Sequence, residues 1–203
     1  NKITEQINSD TIKIDQNSVE DILFCINNED QKVASAVKTS IPQISSFIEL
    51  AIQKLKKSGR LIYIGSGTSG RLAVLDASEC PPTFCTSPEL VQGVIAGGYQ
   101  SLYKSSEQLE DSTENAKEDL LNRGFSSSDC LVGITAGGTT PYVVSGLQYA
   151  KDISALSIAI ASVPRDQARL TCDIDIRLLT GPELLTGSTR LKAATATKMV
   201  LNI

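Results

Sequence analysis

Residues 61–70 read Leu61-Ile62-Tyr63-Ile64-Gly65-Ser66-Gly67-Thr68-Ser69-Gly70, and this stretch decides the fold. Its four consecutive apolar residues indicate a strand buried on both faces, which is typical of parallel sheets. The glycine- and hydroxyl-rich loop that follows presents backbone N–H groups at the end of that strand. The loop therefore predicts an anion-binding site, although a tight strand-to-helix turn without a ligand would have the same sequence.

The sequence pattern Gly-x-Gly-x-x-Gly of this loop also fits the dinucleotide-binding fingerprint. That fingerprint requires an acidic residue about 20 positions further on, at the end of the next strand. Here the next strand runs into Gly97-Gly98 instead, and Arg71 stands where a nucleotide-hydrolase loop has lysine. A compact phosphate suits the three short hydroxyl side chains of the loop, Ser66, Thr68 and Ser69.

The composition is that of one well-buried globular domain of 203 residues, with 41% hydrophobic and 21% charged residues. A net charge of −4 argues against nucleic acid or an anionic membrane as the main partner. No apolar stretch reaches the roughly 18 residues that span a bilayer. The start, Asn1–Glu5, is too polar for a signal peptide, so we expect a cytoplasmic location.

The chain contains no histidine, and this restricts its chemistry. The usual general base and the commonest zinc ligand are both missing. Proton transfers in an enzyme of this composition would fall to carboxylates, lysine, tyrosine or water, and we expect neither a metal site nor a cofactor. The five cysteines are odd in number and show no Cys-x-x-Cys pattern, which indicates thiols in a reducing compartment.

Strands and helices alternate after residue 57, which predicts right-handed crossovers and a parallel sheet. We expect a three-layer α/β/α fold of the flavodoxin-like type with a mostly parallel five-stranded sheet. The expected strands lie near 61–65, 92–96, 131–135, 156–161 and 173–179. The expected helices lie near 69–77, 102–122 (interrupted), 141–150 and 189–202.

Two units are expected along the chain. Residues 1–57 form a helical segment that packs on the core, and residues 58–203 form the α/β domain. The last helix is still running at Ile203 without a stop signal, so we expect the domain to be truncated at its C-terminus.

Two further loops have the character of the first. Gly137-Gly138-Thr139-Thr140 follows the third strand, and residues 180–192 follow the last one. Each loop alone could be ordinary turn chemistry. Because the carboxyl ends of parallel strands meet at one edge of a sheet, the three loops together predict a cradle for a phosphosugar.

With these motifs the chain resembles the sugar isomerase (SIS) domain of the N-acetylmuramic acid 6-phosphate etherase family, and the resemblance covers nearly all of it. The segments that carry it are Ile64–Leu72, Asp76–Phe84 and Gly181–Lys192. The glucokinase regulatory protein shares the first and third segments but lacks Ser78-Glu79-Cys80-Pro81-Pro82. Glu79 therefore favours the etherase family.

The resemblance implies a lyase that removes D-lactate from N-acetylmuramic acid 6-phosphate by elimination and then hydration. It implies that Glu79 is the proton donor, which burial beside Phe84 would help by raising its pKa. It implies that Glu110 is the base. Without the resemblance, Glu79 reads as an exposed loop carboxylate and Glu110 as a charge at a helix entry.

The resemblance also implies that all three loops bind a phosphorylated amino sugar and that the protein is a homodimer. We expect residues 18–57 to form the subunit contact, because they carry a strong apolar stripe. The residues expected to bind the substrate are Ser66, Thr68, Ser69, Gly137, Thr139, Thr140, Glu183, Ser188, Thr189 and Lys192.

The second loop departs from the family's usual Ser-Gly-Arg-Thr-Pro, because residues 137–141 read Gly-Gly-Thr-Thr-Pro. A serine hydroxyl and an arginine charge are both missing. Loss of one charge-assisted donor costs on the order of 2 kcal/mol of binding free energy. A non-catalytic phosphosugar-binding regulator on the same fold is therefore an alternative, and a ketose–aldose isomerase is a third.

Overall fold

The computed structural model describes residues 2–104 and 113–203. Within these residues lie five strands: β1 (Leu61–Gly65), β2 (Val91–Ile95), β3 (Cys130–Ile134), β4 (Leu156–Ala161) and β5 (Ile174–Arg177). The helices are α1 (Val19–Thr39), α2 (Ile41–Leu55), α3 (Gly67–Phe84), α4 (Thr113–Asn122), α5 (Pro141–Asp152) and α6 (Lys192–Leu201). None of these helices has both the length and the apolar character that crossing a bilayer requires.

The five strands form one sheet in the order β2-β1-β3-β4-β5, and every neighbouring pair is parallel. The predicted α/β fold with a parallel five-stranded sheet is confirmed. The order reverses between β1 and β3, since the chain moves outward to β2 from one and to β4 from the other. Such a switch point leaves a crevice beyond the carboxyl ends of the two strands.

Alternate residues of each strand face opposite layers, as the two-residue repeat of a strand requires. On β1, Leu61 and Tyr63 join a core with apolar residues of α1, α2, α3 and α6. Ile62 and Ile64 join a second core with α4 and α5. Burial on both faces explains why β1 is apolar at consecutive positions rather than at alternate ones.

Helix α3 is longer than the 69–77 expected. It continues through Pro81 and Pro82, which lie inside its last turns. Each proline lacks an N–H donor, but its ring holds φ near the helical value. The helix ends at Cys85, whose φ of 55° is left-handed and whose N–H donates to the Pro81 carbonyl at 2.9 Å. Glu79 consequently belongs to a helix and not to a loop.

Two elements of the described residues fall at the interrupted helix expected over 102–122. A 3₁₀ turn covers Gly98–Leu102, and α4 begins at Thr113. The predicted base Glu110 lies between them, outside the described residues. The N-terminal residues of the expected helical segment form three 3₁₀ turns at Ile3–Glu5, Ser9–Thr11 and Ile14–Gln16.

A buried ion pair joins the N-terminal helices to the last helix. The Glu29 side chain on α1 is 4% exposed and the Lys192 side chain at the start of α6 is 1% exposed, and their charged groups are in direct contact. Asn8 donates to the same carboxylate at 3.0 Å, and the exposed Lys32 pairs with its other oxygen. Burial raises the pKa of Glu29, but hydrogen bonds from Lys192 and Lys32 outweigh it and hold the pKa below its ordinary value.

We expect Glu29→Gln to lower the free energy of unfolding by about 3 kcal/mol, because it leaves the Lys192 ammonium buried without a counter-charge. Urea denaturation followed by circular dichroism measures this. The matched control is Asp30→Asn, which neutralises the exposed neighbouring carboxylate and should change the stability by no more than about 0.5 kcal/mol. Equal effects of the two substitutions would contradict a special role for the pair.

The same pair makes stability depend on pH in acid. Because the folded-state pKa of Glu29 is depressed, its stabilisation is present above the ordinary pKa of 4.5 and is lost as the pH falls through the lower folded value. The difference in stability between the unmodified protein and Glu29→Gln should therefore shrink below pH 4.5. A difference that stays constant down to about pH 2.5 would contradict the depressed pKa.

Candidate functional site

A polar cavity of about 470 Å³ lies at the carboxyl ends of β1 and β3, where the strand order reverses. Gly65 pairs in register with Ile134, so the next residues, Ser66 and Thr135, lie side by side at the edge of the sheet. All three predicted loops contribute to the wall. The predicted substrate-binding residues that line it are Ser66, Thr68, Ser69, Gly137, Thr139, Thr140 and Thr189.

The first loop supplies an unpartnered hydroxyl. Ser66 is 9% exposed, and its Oγ is buried without a hydrogen-bond partner in the described part of the chain. A buried polar atom of this kind is costly unless a ligand or water satisfies it. Ser66 also precedes the first residue of α3, where the leading N–H groups of a helix have no partner within it. The loop therefore offers both a side-chain donor and backbone donors to an anion.

Two glycines allow the start of α3 to press against the end of β1. A Cβ at Gly70 would lie 2.5 Å from the Gly65 carbonyl oxygen and 2.5 Å from Ile95 Cγ1. A Cβ at Gly65 would lie 2.8 Å from the Gly70 nitrogen. These clashes explain two of the three glycines that gave the loop its dinucleotide-like spelling. The close contact directs the positive end of the α3 dipole into the cavity.

The second loop is held by its threonines and by one glycine in the left-handed conformation. Thr135 and Thr140 share a hydrogen bond of 2.8 Å between their hydroxyls, and Thr140 is the N-cap residue of α5. Gly138 has a φ of +69°, and a Cβ there would lie 2.6 Å from Ala168 Cβ. Pro141 occupies the first helical position, where its missing N–H costs no hydrogen bond. The start of α5 therefore also faces the cavity.

The third loop differs from the other two, because its helix is already capped. The Glu183 carboxylate is fully buried and accepts the N–H groups of Lys192 and Ala193 at 2.9 and 3.0 Å. Burial raises the pKa of Glu183, although those two N–H groups act in the opposite direction. Glu183 and Lys192, both expected to bind substrate, thus stand outside the cavity wall in internal polar contacts. Ser188 also lies outside it, and the loop reaches the cavity through Gly187 and Thr189.

The expected proton donor Glu79 is remote from this cavity. It is exposed on α3 and lies twelve residues beyond Gly67, which is about 18 Å along the helix axis. The apolar environment expected around it is not formed within the chain, because Phe84 is 70% exposed. The structure therefore brings the loops together but does not bring Glu79 to them in the same chain.

Sequence reasoning missed several cavity residues, among them the charged side chains of Lys2, Glu5 and Arg71 and the buried Thr4. The Arg71 guanidinium donates to the carbonyls of Ser101 and Leu102 at 2.8 and 3.0 Å. Residues 2–5 come from a segment without apolar periodicity, and no local signal in it points to the sheet edge. Among the described residues, no three cysteine or carboxylate side chains gather as a metal-ligand set would.

The parallel sheet, the reversal of strand order and a hydroxyl-rich cavity at that point define an α/β domain whose cavity has the polar lining that suits a small anionic ligand. The model of the glucokinase regulatory protein N-terminal SIS domain matches residues 43–151. The chain belongs to this SIS family, and the resemblance to SIS domains predicted above is confirmed.

Relatives named N-acetylmuramic acid 6-phosphate etherase match almost the whole chain. One from Prochlorococcus marinus (strain MIT 9303) is 60% identical over 201 residues, and one from Synechococcus sp. (strain CC9902) is 58% identical over 201 residues. Each match covers 99% of this chain and 64% of the relative. The chain thus spans about 64% of the length of these curated relatives.

Solved structures share the fold at low identity. Phosphoheptose isomerase GmhA from Neisseria gonorrhoeae is 18% identical with a TM-score of 0.64, covering 91% of this chain and 98% of that one. A phosphoheptose isomerase from Francisella tularensis is 15% identical, with a TM-score of 0.61 and coverage of 91% and 98%. The Vibrio vulnificus NanR protein complexed with ManNAc-6P is 11% identical, with a TM-score of 0.52 and coverage of 91% and 62%.

We expect inorganic phosphate to raise the melting temperature of the protein and Ser66→Ala to reduce that rise, because the substitution removes the unpartnered donor from the cavity. Differential scanning fluorimetry over a phosphate series at constant ionic strength measures the effect. The matched control is Ser162→Ala, which removes another buried unpartnered hydroxyl that does not line the cavity. The same reduction in both variants would argue against phosphate binding at Ser66.

Proposed function

We propose that the protein is a carbon–oxygen lyase that cleaves the D-lactyl ether of N-acetylmuramic acid 6-phosphate, giving N-acetylglucosamine 6-phosphate and D-lactate. The observation that carries the proposal is the cavity formed by the hydroxyl-rich loops that open α3 and α5. The names of relatives 58–60% identical over 99% of the chain support the same substrate. A structural relative solved with ManNAc-6P, and two others named phosphoheptose isomerase, support a phosphosugar ligand.

The phosphosugar is bound by the loop residues that reach the cavity. The N–H groups and hydroxyls at the starts of α3 and α5 receive anionic oxygens, as helix N-termini do in other phosphate sites. Glu183 and Lys192 act indirectly, by fixing the loop that carries Ser188 and Thr189. The residues assigned to binding are Ser66, Thr68, Ser69, Gly137, Thr139, Thr140 and Thr189.

The reaction is an elimination followed by a hydration. In the open-chain sugar, a base removes the C2 proton, the C2–C3 double bond forms, and the C3–O bond to lactate breaks as an acid protonates the departing oxygen. Water then adds its hydroxyl to C3 and a proton to C2. Carboxylates suffice for both proton transfers, which suits a chain without histidine. Glu110 is the base and Glu79 the acid in this proposal.

Because Glu79 is remote from the cavity of its own chain, it can act only at the cavity of a second copy of the chain. We therefore include a homodimer in the proposal, in which Glu79 of one subunit serves the cavity of the other. Exposed apolar side chains support an extended subunit contact: Phe84 is 70% exposed on α3, and Val19 and Phe24 are 75% and 61% exposed on α1. Burial of Phe84 in the contact would provide the apolar surroundings that a proton donor needs.

We also propose that the chain consists of two units and that the protein is cytoplasmic. Residues 1–57 act as a packing segment for a phosphosugar-binding domain at 58–203, and the buried Glu29–Lys192 pair links the two. A cytoplasmic location suits five free cysteines and a phosphorylated metabolite.

A non-catalytic phosphosugar-binding regulator is the second candidate. The altered loop at Gly137–Thr140 favours it, because the serine hydroxyl and arginine charge of the resembling family are missing there. Catalysis demands more of that loop than binding does, since it must hold the sugar while the C3–O bond breaks.

We expect the intact protein to release D-lactate from N-acetylmuramic acid 6-phosphate, measured with D-lactate dehydrogenase. Glu79→Gln should lower kcat by about 100-fold or more and leave the affinity for N-acetylglucosamine 6-phosphate unchanged, because the amide cannot donate the proton. The matched control is Glu89→Gln, an exposed carboxylate beyond the end of α3. Binding of the sugar phosphate without any lactate release would support the regulator instead.

A mixed-subunit experiment tests whether Glu79 acts across the dimer. Glu79→Gln and Thr68→Phe, which fills the cavity, should each be inactive alone. Co-expressed, they should regain about one quarter of the activity, since half of randomly paired dimers would hold one complete site of two. Recovery of no activity in verified mixed dimers would place Glu79 in its own subunit's site, and a monomeric mass would exclude the dimer.

A further inference from the structure

A basic side chain lines the cavity, and the sequence pattern of the three loops does not reveal it. Two basic side chains line it in the described residues, Lys2 and Arg71. The Arg71 guanidinium is engaged by backbone carbonyls of residues 101 and 102. Lys2 Nζ donates to Thr139 Oγ1 at 2.5 Å, and no carboxylate of residues 2–104 or 113–203 forms an ion pair with it. Lys2 therefore brings a positive charge into the wall that forms no ion pair within the described residues, including with Glu5, the carboxylate that lines the same cavity.

The ammonium lies against the two positions at which the second loop departs from Ser-Gly-Arg-Thr-Pro. Thr139, which accepts its hydrogen bond, stands at the arginine position. A Cβ at Gly137, the serine position, would lie 3.0 Å from Lys2 Nζ. Glycine at 137 thus leaves room for the ammonium, and threonine at 139 orients it. The Lys2 ammonium therefore places a positive charge beside the loop that lacks the arginine, although Lys2 lies in another part of the chain.

The segment that carries Lys2 is built into the fold. The Ile3 N–H donates to Gln167 Oε1 at 2.8 Å, and Thr4 is 1% exposed. Further along, Thr11 Oγ1 donates to the Leu184 carbonyl at 2.8 Å, and Asn8 binds the buried Glu29 carboxylate. These contacts anchor the backbone of residues 3–11, which directly follows Lys2. Lys2 is thereby positioned before any ligand enters, which limits the entropy lost on binding.

We infer that Lys2 is a substrate-binding residue that supplies the cationic contact to an anionic group of the substrate, in the place of the absent loop arginine. The inference rests on the proposed function for the identity of the substrate. Two anionic groups of N-acetylmuramic acid 6-phosphate have the required chemistry, the phosphate and the lactyl carboxylate. A lysine ammonium pairs with either as a point charge.

The test uses the intact protein and isothermal titration with two ligands. N-acetylglucosamine 6-phosphate carries only the phosphate, and N-acetylmuramic acid carries only the carboxylate. Lys2→Met should weaken the binding of one of them about tenfold or more, because a hydrogen bond to a charged group is lost. The ligand that loses affinity identifies the group that Lys2 contacts. The matched control is Lys13→Met, an exposed lysine of the same N-terminal segment, which should change neither affinity.

Two further variants separate loss of the charge from loss of structure. Lys2→Arg should keep most of the affinity, and Lys2→Met combined with Thr139→Arg should restore it by returning the charge to the loop. Melting temperatures show whether each variant is folded. Unchanged affinity of folded Lys2→Met for both ligands would overturn the inference, as would failure of Thr139→Arg to restore any affinity.

Lactate release distinguishes this inference from the proposed function. If the unmodified protein binds N-acetylglucosamine 6-phosphate through Lys2 but releases no lactate, the inference stands and the lyase proposal fails. If Lys2→Met releases lactate with an unchanged KM and binds both ligands normally, the lyase proposal stands and the inference fails.

Discussion

The walls of the cavity depend on one buried carboxylate. Glu29 binds Asn8 from the N-terminal segment and Lys192 at the start of α6, two regions far apart in the sequence. A buried charge is tolerated only when it is paired and hydrogen-bonded, so these regions must assemble together. Residues of both regions, within Lys2–Glu5 and Ala193–Thr197, line the cavity, so their positions depend on that junction. The ion pair thus shapes a site that it does not touch.

Much of the sheet and two of the loops could be predicted from sequence, because local rules decide them. Ile62 and Ile64 lie in a run that is apolar at every position, which only a strand covered on both faces requires. The hydroxyls after β1 and β3 sit beside helix starts, where Ser66 and Thr140 have few conformational alternatives. Right-handed crossovers restrict the possible strand orders without fixing one, and the crevice follows from the order that the sheet adopts.

The misplaced residues are those whose role is decided by tertiary contacts. Glu183 and Lys192 stand in a loop that reads like the other two, yet burial turns one into a helix cap and the other into half of an ion pair. Glu79 was expected just after a helix, but Pro81 keeps a helical φ and carries the helix past it. Lys2 is separated from Thr139 by 137 positions, and no periodicity relates them.

The Glu183 carboxylate, which caps the start of α6, makes the electrostatic field in the cavity uneven. The starts of α3 and α5 present unpaired N–H groups, whereas the start of α6 has a carboxylate already in place. Of the three helix starts around the cavity, two are therefore left positive and the third is neutralised from within the protein. An anionic group that enters the cavity is attracted to the starts of α3 and α5 more than to the start of α6. For the phosphosugar proposed above, this field would orient the phosphate before any particular hydroxyl binds it.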